Sequence, residues 1–317
     1  IALPHALRRV TADRLAGERP ALGLRHQQRL LFGAAAAAHT ATVLARRATA
    51  ASWHIPEGGG AGSGPAPAVM RALALTKAGV DRLADRAVTQ CRSAVGAVGF
   101  FSENRLIEYQ ALTMAFHSAG GDNRLILLDA ARTMVDAVAH PAPEEPTGLP
   151  PADDDDFHAL FRARERLLHT ELTHRLTSCE EAGTTAAAAW DAHTDLALLL
   201  AEAHVARTTA EVLRAEALEA QAREPGAAGR GSLLHDLSLL SCLEEVRTHS
   251  GWFVTEGLLT PEQVRSLPGR LNDLCHRLLP RATDLIDLME TPRAVLFGPL
   301  TEPDYVRALA EQPPRPD

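Results

Sequence analysis

An all-α protein of two tandem helical bundles is what this sequence predicts, and three observations predict it. Alanine and leucine dominate a chain with only 4% aromatic residues, a composition that favours helices over sheets. Apolar residues recur at helical spacing over most of the length, and nothing reads as a strand of any length. One stretch rich in proline and aspartate, residues 141–156, divides the chain near its middle.

The elements follow in order. "IALPHALRRV" opens the chain with helical spacing at Ile1, Leu3, Leu7 and Val10, as if inside a patterned helix, so the chain reads as a fragment or processed half of something longer. A helix is expected from about Leu22 to Ala48, with the alanines at 34–38 giving it a close-packing face. "HIPEGGGAGSGPAPA" (54–68) is too dense in glycine and proline to continue it. A second helix runs from Val69 through Ala94, "GAVGFFSEN" (96–104) is a bend, and a third helix runs from Asn123 to about Ala139. "HPAPEEPTGLPPADDDD" (140–156) is the boundary, its aspartates placed to favour the positive end of a helix beginning at Phe157. Further amphipathic helices are expected near 157–181, 184–222, 232–249 and 261–290, the last with Thr260 as cap and Pro261 at its first position.

Composition excludes several functions. The net charge is −8 with no basic cluster, which argues against a nucleic-acid partner. Lys77 is the single lysine, and an arginine bias of this kind reflects a GC-rich genome rather than phosphate binding. The four cysteines (Cys91, Cys179, Cys242, Cys275) form no C-x-x-C pair and read as buried thiols of a reducing compartment, hence a cytoplasmic location. No apolar run reaches the ~20 residues of a membrane span.

His169, Glu171 and His174 share one helix but lack metal-ligand spacing, so no metal site is expected. Neither a nucleophile elbow nor a phosphate-binding P-loop is present. The stretch "HSAGGDNRLIL" (117–127) is a glycine-paired turn feeding a helix that Asp122 or Asn123 can cap. Such a turn exposes backbone N–H groups to a phosphate, a flavin or a carboxylate, or else simply connects two helices.

Order along the chain adds a resemblance. In "TQCRSAVGAVGFFSENRL" (89–106), Cys91, Arg92, Gly96, Gly99, Asn104 and Arg105 fall in register with C-R-E-x-x-G-G-x-G-Y-x-x-x-N-R; Phe100 replaces the Tyr, and Ala97 the second Gly. "HQQRLLF" (26–32) is similar to Q-Q-x-x-L-F, and "IALPHALRR" to the helix before R-R-Q-F-G, with Val10 and Thr11 departing. "HSGWFVTEGLLTPEQVRSLPGRLNDLCHRLLPRATDLIDLM" (249–289) matches D-x-G-W-F-x-E-x-G-x-L-S, N-x-L-C and R-P-x-A-x-x-L-V-D at positions including Trp252, Phe253, Asn272, Cys275 and Asp287. These segments together resemble the C-terminal half of the acyl-CoA oxidases, in the acyl-CoA dehydrogenase superfamily.

The resemblance implies a flavin-proximal helical domain at 1–140, the linker at 141–156, and an oxidase-type second C-terminal domain at 157–317. It implies FAD, shared with an N-terminal half or partner chain, and acyl-CoA oxidised to 2-enoyl-CoA in fatty-acid β-oxidation or secondary metabolism. A homo- or heterodimer is implied as well. The FAD contacts would fall to Arg9, Gln28, Gly96, Ala97, Asp122 and Asn123. The family's catalytic glutamate opens E-G-D-N, and Gly120 stands at its place here. With that carboxylate gone, the alternative is a non-catalytic helical subunit or scaffold that keeps the fold.

Overall fold

The computed structural model describes residues 3, 6–7, 14–15, 19–53, 67–136, 157–223, 229–291, 298–299, 302 and 304–311. Its helices are α1 (Arg25–Trp53), α2 (Pro67–Ala94), α3 (Leu106–Phe116), α4 (Asn123–Asp136), α5 (His158–Glu181) and α6 (Ala186–Ala192). They continue as α7 (Thr194–Arg223), α8 (Arg230–Thr248), α9 (Ser250–Thr255), α10 (Pro261–Leu278), α11 (Ala282–Leu288) and α12 (Tyr305–Ala310). The only strands among the described residues are Arg14–Leu15 and Arg19–Pro20, paired antiparallel, so the fold is all-α as expected. The 141–156 segment, the 54–66 part of the Gly/Pro stretch and Arg9 lie outside the described residues.

Burial explains the arrangement. Ala34, Ala35, Ala36 and Ala37 are all buried, and these small side chains let α1 lie close along α2. One apolar cluster joins Leu31 and Phe32 of α1, Cys91 of α2, Phe161 of α5, Leu239 and Leu243 of α8, and Leu274 of α10. A second joins Leu75 of α2, Ala131 and Met134 of α4, Leu168 and Leu172 of α5, and Leu200 and Ala201 of α7. Both clusters draw side chains from either side of the 141–156 segment. The two halves of the sequence therefore interlock through shared apolar contacts.

Between these clusters lies an ionic one. Glu244 and Glu245 sit side by side on α8, and Glu244 is only 4% exposed. Glu244 accepts from Arg29 of α1 at 3.1 Å and from Arg247 at 2.6 Å, and Arg86 of α2 lies 3.1 Å away. Glu245 accepts from Arg164 of α5 at 3.2 Å, with Arg82 of α2 at 3.6 Å and His249 at 3.1 Å. Burial pushes both carboxyls up, but the arginines and His249 outweigh it and hold them below the usual carboxylate range. Arg164 is fully buried and stands 5.9 Å from the ring centres of both Trp252 and Phe253. Its charge is shared between a carboxylate and two aromatic faces.

Three departures from the periodicity have local causes. Helix α3 was not expected: "LIEYQALTMAF" is apolar on all sides, and Ile107, Leu112, Met114 and Phe116 are exposed, so no amphipathic stripe marks it. The helix expected over 184–222 is broken at His193, where the Thr194 hydroxyl bonds back to the Trp190 and Asp191 carbonyls. The helix expected over 261–290 ends at Leu278, where the 3-10 turn Leu279–Arg281, with Pro280 at its centre, leads into α11. Its start is as read: Thr260 accepts from Gln263 N, and Gln263 Oε1 accepts from Thr260 N, a reciprocal cap.

Two measurements check this core. Phe253 is completely buried while Trp252 is only half-buried. Phe253→Ala should cost about 3–5 kcal/mol in urea unfolding, and Trp252→Ala clearly less. Acid should also weaken the fold in two stages. Burial, with Arg230 and Arg46 nearby, pulls the His39 imidazole from 6.5 down to about 4. Its unfolded form binds the proton first, so this stability is complete above 6.5 and is lost as pH falls toward 4. Burial pushes Glu165 up, but bonds from His204 and Arg207 outweigh it and bring the carboxyl from 4.5 down to about 2. Its contribution is lost only in that lower window. His39→Gln should flatten unfolding free energy against pH between 6.5 and 4 and leave the slope below 4 unchanged.

Candidate functional site

The glycine-paired turn connects the end of α3 to the start of α4. Gly120 and Gly121 have φ of +72° and +107°, a region that side chains other than glycine's rarely enter. Asp122 caps α4, its Oδ1 accepting from the N–H groups of Arg124 at 2.8 Å and Leu125 at 3.2 Å. The helix N-terminus is thus partly satisfied by the chain's own carboxylate, the electrostatic role an external anion would otherwise fill.

What shapes the turn is Lys77, the single lysine, on α2. Its ammonium donates at 2.7 Å to each of three acceptors: the Phe116 carbonyl, the Gly121 carbonyl and Asn123 Oδ1. Asp81, one helical turn on, lies 3.0 Å away. An ammonium has three N–H donors, and the turn uses them all. The resemblance marked Asn123 as a flavin contact, yet its side-chain oxygen is engaged by Lys77. Sequence reading passed over Lys77, and its only signal was its rarity.

Three residues before Gly120, the His117 Nε2 is shut from solvent and has no hydrogen-bond partner among the described residues. A side-chain carbon placed at Gly120 would meet only the Lys77 stem, at 3.9 Å. The turn therefore has room for a side chain and carries no free base. Beside it, Arg71, Gly121, Asp122, Leu125 and Asp129 line an open groove of about 320 Å³ between α2 and α4. Around it the surface is unusually apolar: Met70, Leu112, Met114, Phe116 and Leu125 are each about half or more exposed.

The second group of expected contacts lies at the other end of α3, which at 11 residues spans roughly 16 Å. The 3-10 turn Gly96–Phe100 leaves Gly96, at φ +66°, and Ala97 exposed, and a carbon added at Gly96 would meet nothing within 4 Å. Other residues of the same motif serve the fold. Asn104 is fully buried and donates to the Val98 carbonyl at 2.7 Å and to Tyr305 at 3.3 Å. Cys91 is buried too, and desolvation pushes its thiol up to about 12, so it is inert. Gln28 is likewise turned inward, its amide donating to the Leu22 carbonyl at 3.0 Å. Tertiary structure brings Gly120, Asp122 and Asn123 into one turn, groups Gly96 with Ala97 elsewhere, and buries Gln28.

Among the described residues there is no cluster of three or more potential metal ligands, and no helix long and apolar enough to cross a membrane.

The acyl-CoA oxidase family model matches residues 153–304. None of the curated proteins matches. Among solved structures, an acyl-CoA oxidase from Lycopersicon esculentum (tomato) superposes with a TM-score of 0.81 at 19% identity, over 98% of this chain and 52% of its own. Acyl-CoA oxidase1 from Yarrowia lipolytica gives 0.80 at 18% identity, over 99% and 52%. Acyl-CoA oxidase-1 of Caenorhabditis elegans, in complex with FAD and ATP, gives 0.78 at 19% identity, over 98% and 52%. The chain spans about half the length of these relatives. By its match over residues 153–304 and by the fold of its whole length, this chain resembles the helical C-terminal half of the acyl-CoA oxidases.

Proposed function

We propose that the chain supplies the C-terminal helical half of an FAD-dependent acyl-CoA oxidase-type protein, acting on acyl-CoA in fatty-acid or secondary metabolism. The observation that carries this reading is the family match over residues 153–304, set within a fold shared with acyl-CoA oxidases from end to end. Residues 1–140 then form the flavin-proximal part and residues 157–317 the oxidase-type domain, joined by 141–156. The exposed apolar surface around the 117–123 turn suits burial against an FAD-binding N-terminal half or partner subunit in a dimer.

The residues present fit a flavin through backbone rather than through side chains. Gly96 and Ala97 leave open backbone that a flat ring system can approach, whereas Gln28, Asp122 and Asn123 already serve internal bonds. When bound, FAD supplies an acceptor for the β-hydrogen and its electron pair. The chain's own part is to place the turn, and Lys77 does that through its three bonds. Removing the α-proton needs a base, and Gly120 offers none. In this reading the proton passes to a carboxylate from outside these residues.

A specific observation favours a second reading. With Gly120 at φ +72°, a replacement side chain would be strained, so the turn has become a glycine turn and not merely a truncated one. That suits a non-catalytic subunit kept for assembly. Anaerobic addition of acyl-CoA to the protein joined to its FAD-binding half separates the readings: bleaching of the flavin supports turnover, and none supports the subunit.

Two results are expected. The 317-residue chain purified alone should carry no stoichiometric flavin absorbance near 450 nm, since the open backbone at 96–97 gives a flavin one face only (~450 nm being the ordinary oxidised-flavin band). In the joined protein, Gly120→Glu should speed flavin reduction where no carboxylate from outside these residues reaches the turn, and leave the rate unchanged where one does. A placed base is worth about a hundred- to ten-thousand-fold, or ~3–5 kcal/mol. Holding a non-glycine residue at positive φ costs ~1–2 kcal/mol, so a net gain of at least about threefold should then appear in stopped-flow reduction, rising with pH through a carboxylate-like pKa.

A further inference from the structure

The segment 96–104, which carries the open backbone of Gly96 and Ala97, is held from two directions. On one side it rests on the end of α2. A carbon added at Gly99 would meet the Arg92 carbonyl at 2.8 Å, and the Arg92 guanidinium lies over the Phe100 ring at 4.7 Å. On the other side its partners come from the far end of the sequence, some 200 positions away.

Asn104 is the link. Its side-chain amide has two N–H donors, and both are spent. One goes to the Val98 carbonyl inside the turn at 2.7 Å, the other to the Tyr305 hydroxyl of α12 at 3.3 Å. Asn104 is fully buried and Tyr305 is 7% exposed, so water does not compete for these bonds. Val98 adjoins Ala97 in the chain, and whatever displaces Asn104 therefore pulls on the open backbone. A second contact lies one residue away. Gly298, at φ +104°, sits against the Glu103 carbonyl, and a carbon added to it would come within 2.8 Å of that oxygen. Conformation and space both call for glycine there. Neither contact is needed to form α12 itself, because Asp304 caps it by accepting from Arg307 N at 3.0 Å.

From this geometry we infer that Tyr305 and Gly298 are positioning residues for the 96–104 segment, setting where Gly96 and Ala97 present their backbone to a flavin. The flavin clause rests on the oxidase reading, whereas the hold on the segment does not. Tyr305 acts through Asn104 and Val98, and Gly298 acts through Glu103. Tyr305 lies one residue past the family match, which ends at 304.

Hydrogen exchange followed by mass spectrometry on the 317-residue chain reads the segment without any flavin. Tyr305→Phe keeps the ring in the core and removes only the hydroxyl. It should speed exchange at 96–104 by about threefold or more, with α7 and α8 as protected as before. Gly298→Ala should do the same from the second contact, and Arg307→Ala, on the exposed side of α12, should change nothing at 96–104. In the joined protein, Tyr305→Phe should also weaken FAD binding by about threefold or more in a flavin-fluorescence titration. Unchanged exchange at 96–104 in both variants would overturn the inference. So would faster exchange spread evenly through α7 and α8, the mark of a merely structural role. Faster exchange at 96–104 with FAD affinity unchanged would overturn the positioning of the flavin. A joined protein that holds no FAD even with Tyr305 intact would sink the oxidase reading instead, and exchange would still decide the hold on the segment.

Discussion

Two adjacent carboxylates on one helix tie together the central helices of the molecule. Glu244 and Glu245 are drawn into the interior of α8 and met by arginines from α1, α2 and α5. Taking such charges from water is costly, and the cost is offset only where several partners converge with good geometry. That requirement fixes how these helices sit relative to one another more tightly than alanine and leucine packing can. Apolar contacts are non-directional, whereas a guanidinium reaching a carboxylate at 3.1 Å sets a register. The same convergence explains why both apolar clusters cross the 141–156 segment: the ionic centre ties α1 and α2 to α5 and α8.

At the turn between α3 and α4, one cation does the equivalent work on a smaller scale. Lys77 gathers two carbonyls and an amide oxygen that would otherwise face the solvent in no fixed order. Asp122 then completes the helix start. The outcome is a well-defined turn with glycine at 120 and 121 and no carboxylate ahead of Asp122.

The apolar face of α3 bears on the same point. Leu112, Met114 and Phe116 are exposed beside the turn, and Phe100 is 64% exposed at the far end with Arg92 over its ring at 4.7 Å. The chain spans about half the length of the solved structures it resembles.

Much was legible in the residues alone. Composition and periodicity determined an all-α chain, the Thr260–Pro261 helix start, a cap at Asp122 or Asn123 and the absence of a C-x-x-C pair, because these depend on local backbone preference and on side chains a few positions apart. Motif order determined the resemblance. Tertiary structure alone decided the rest. It split the expected helix at His193, exposed α3, turned Gln28 inward and joined the two halves through common cores. It also brought Lys77 across 46 positions to Asn123, and Arg29 across 215 to Glu244. Contacts over such separations leave no periodic trace in a sequence. They arise only when folded helices place distant charges together in a medium too dry to leave them unpaired.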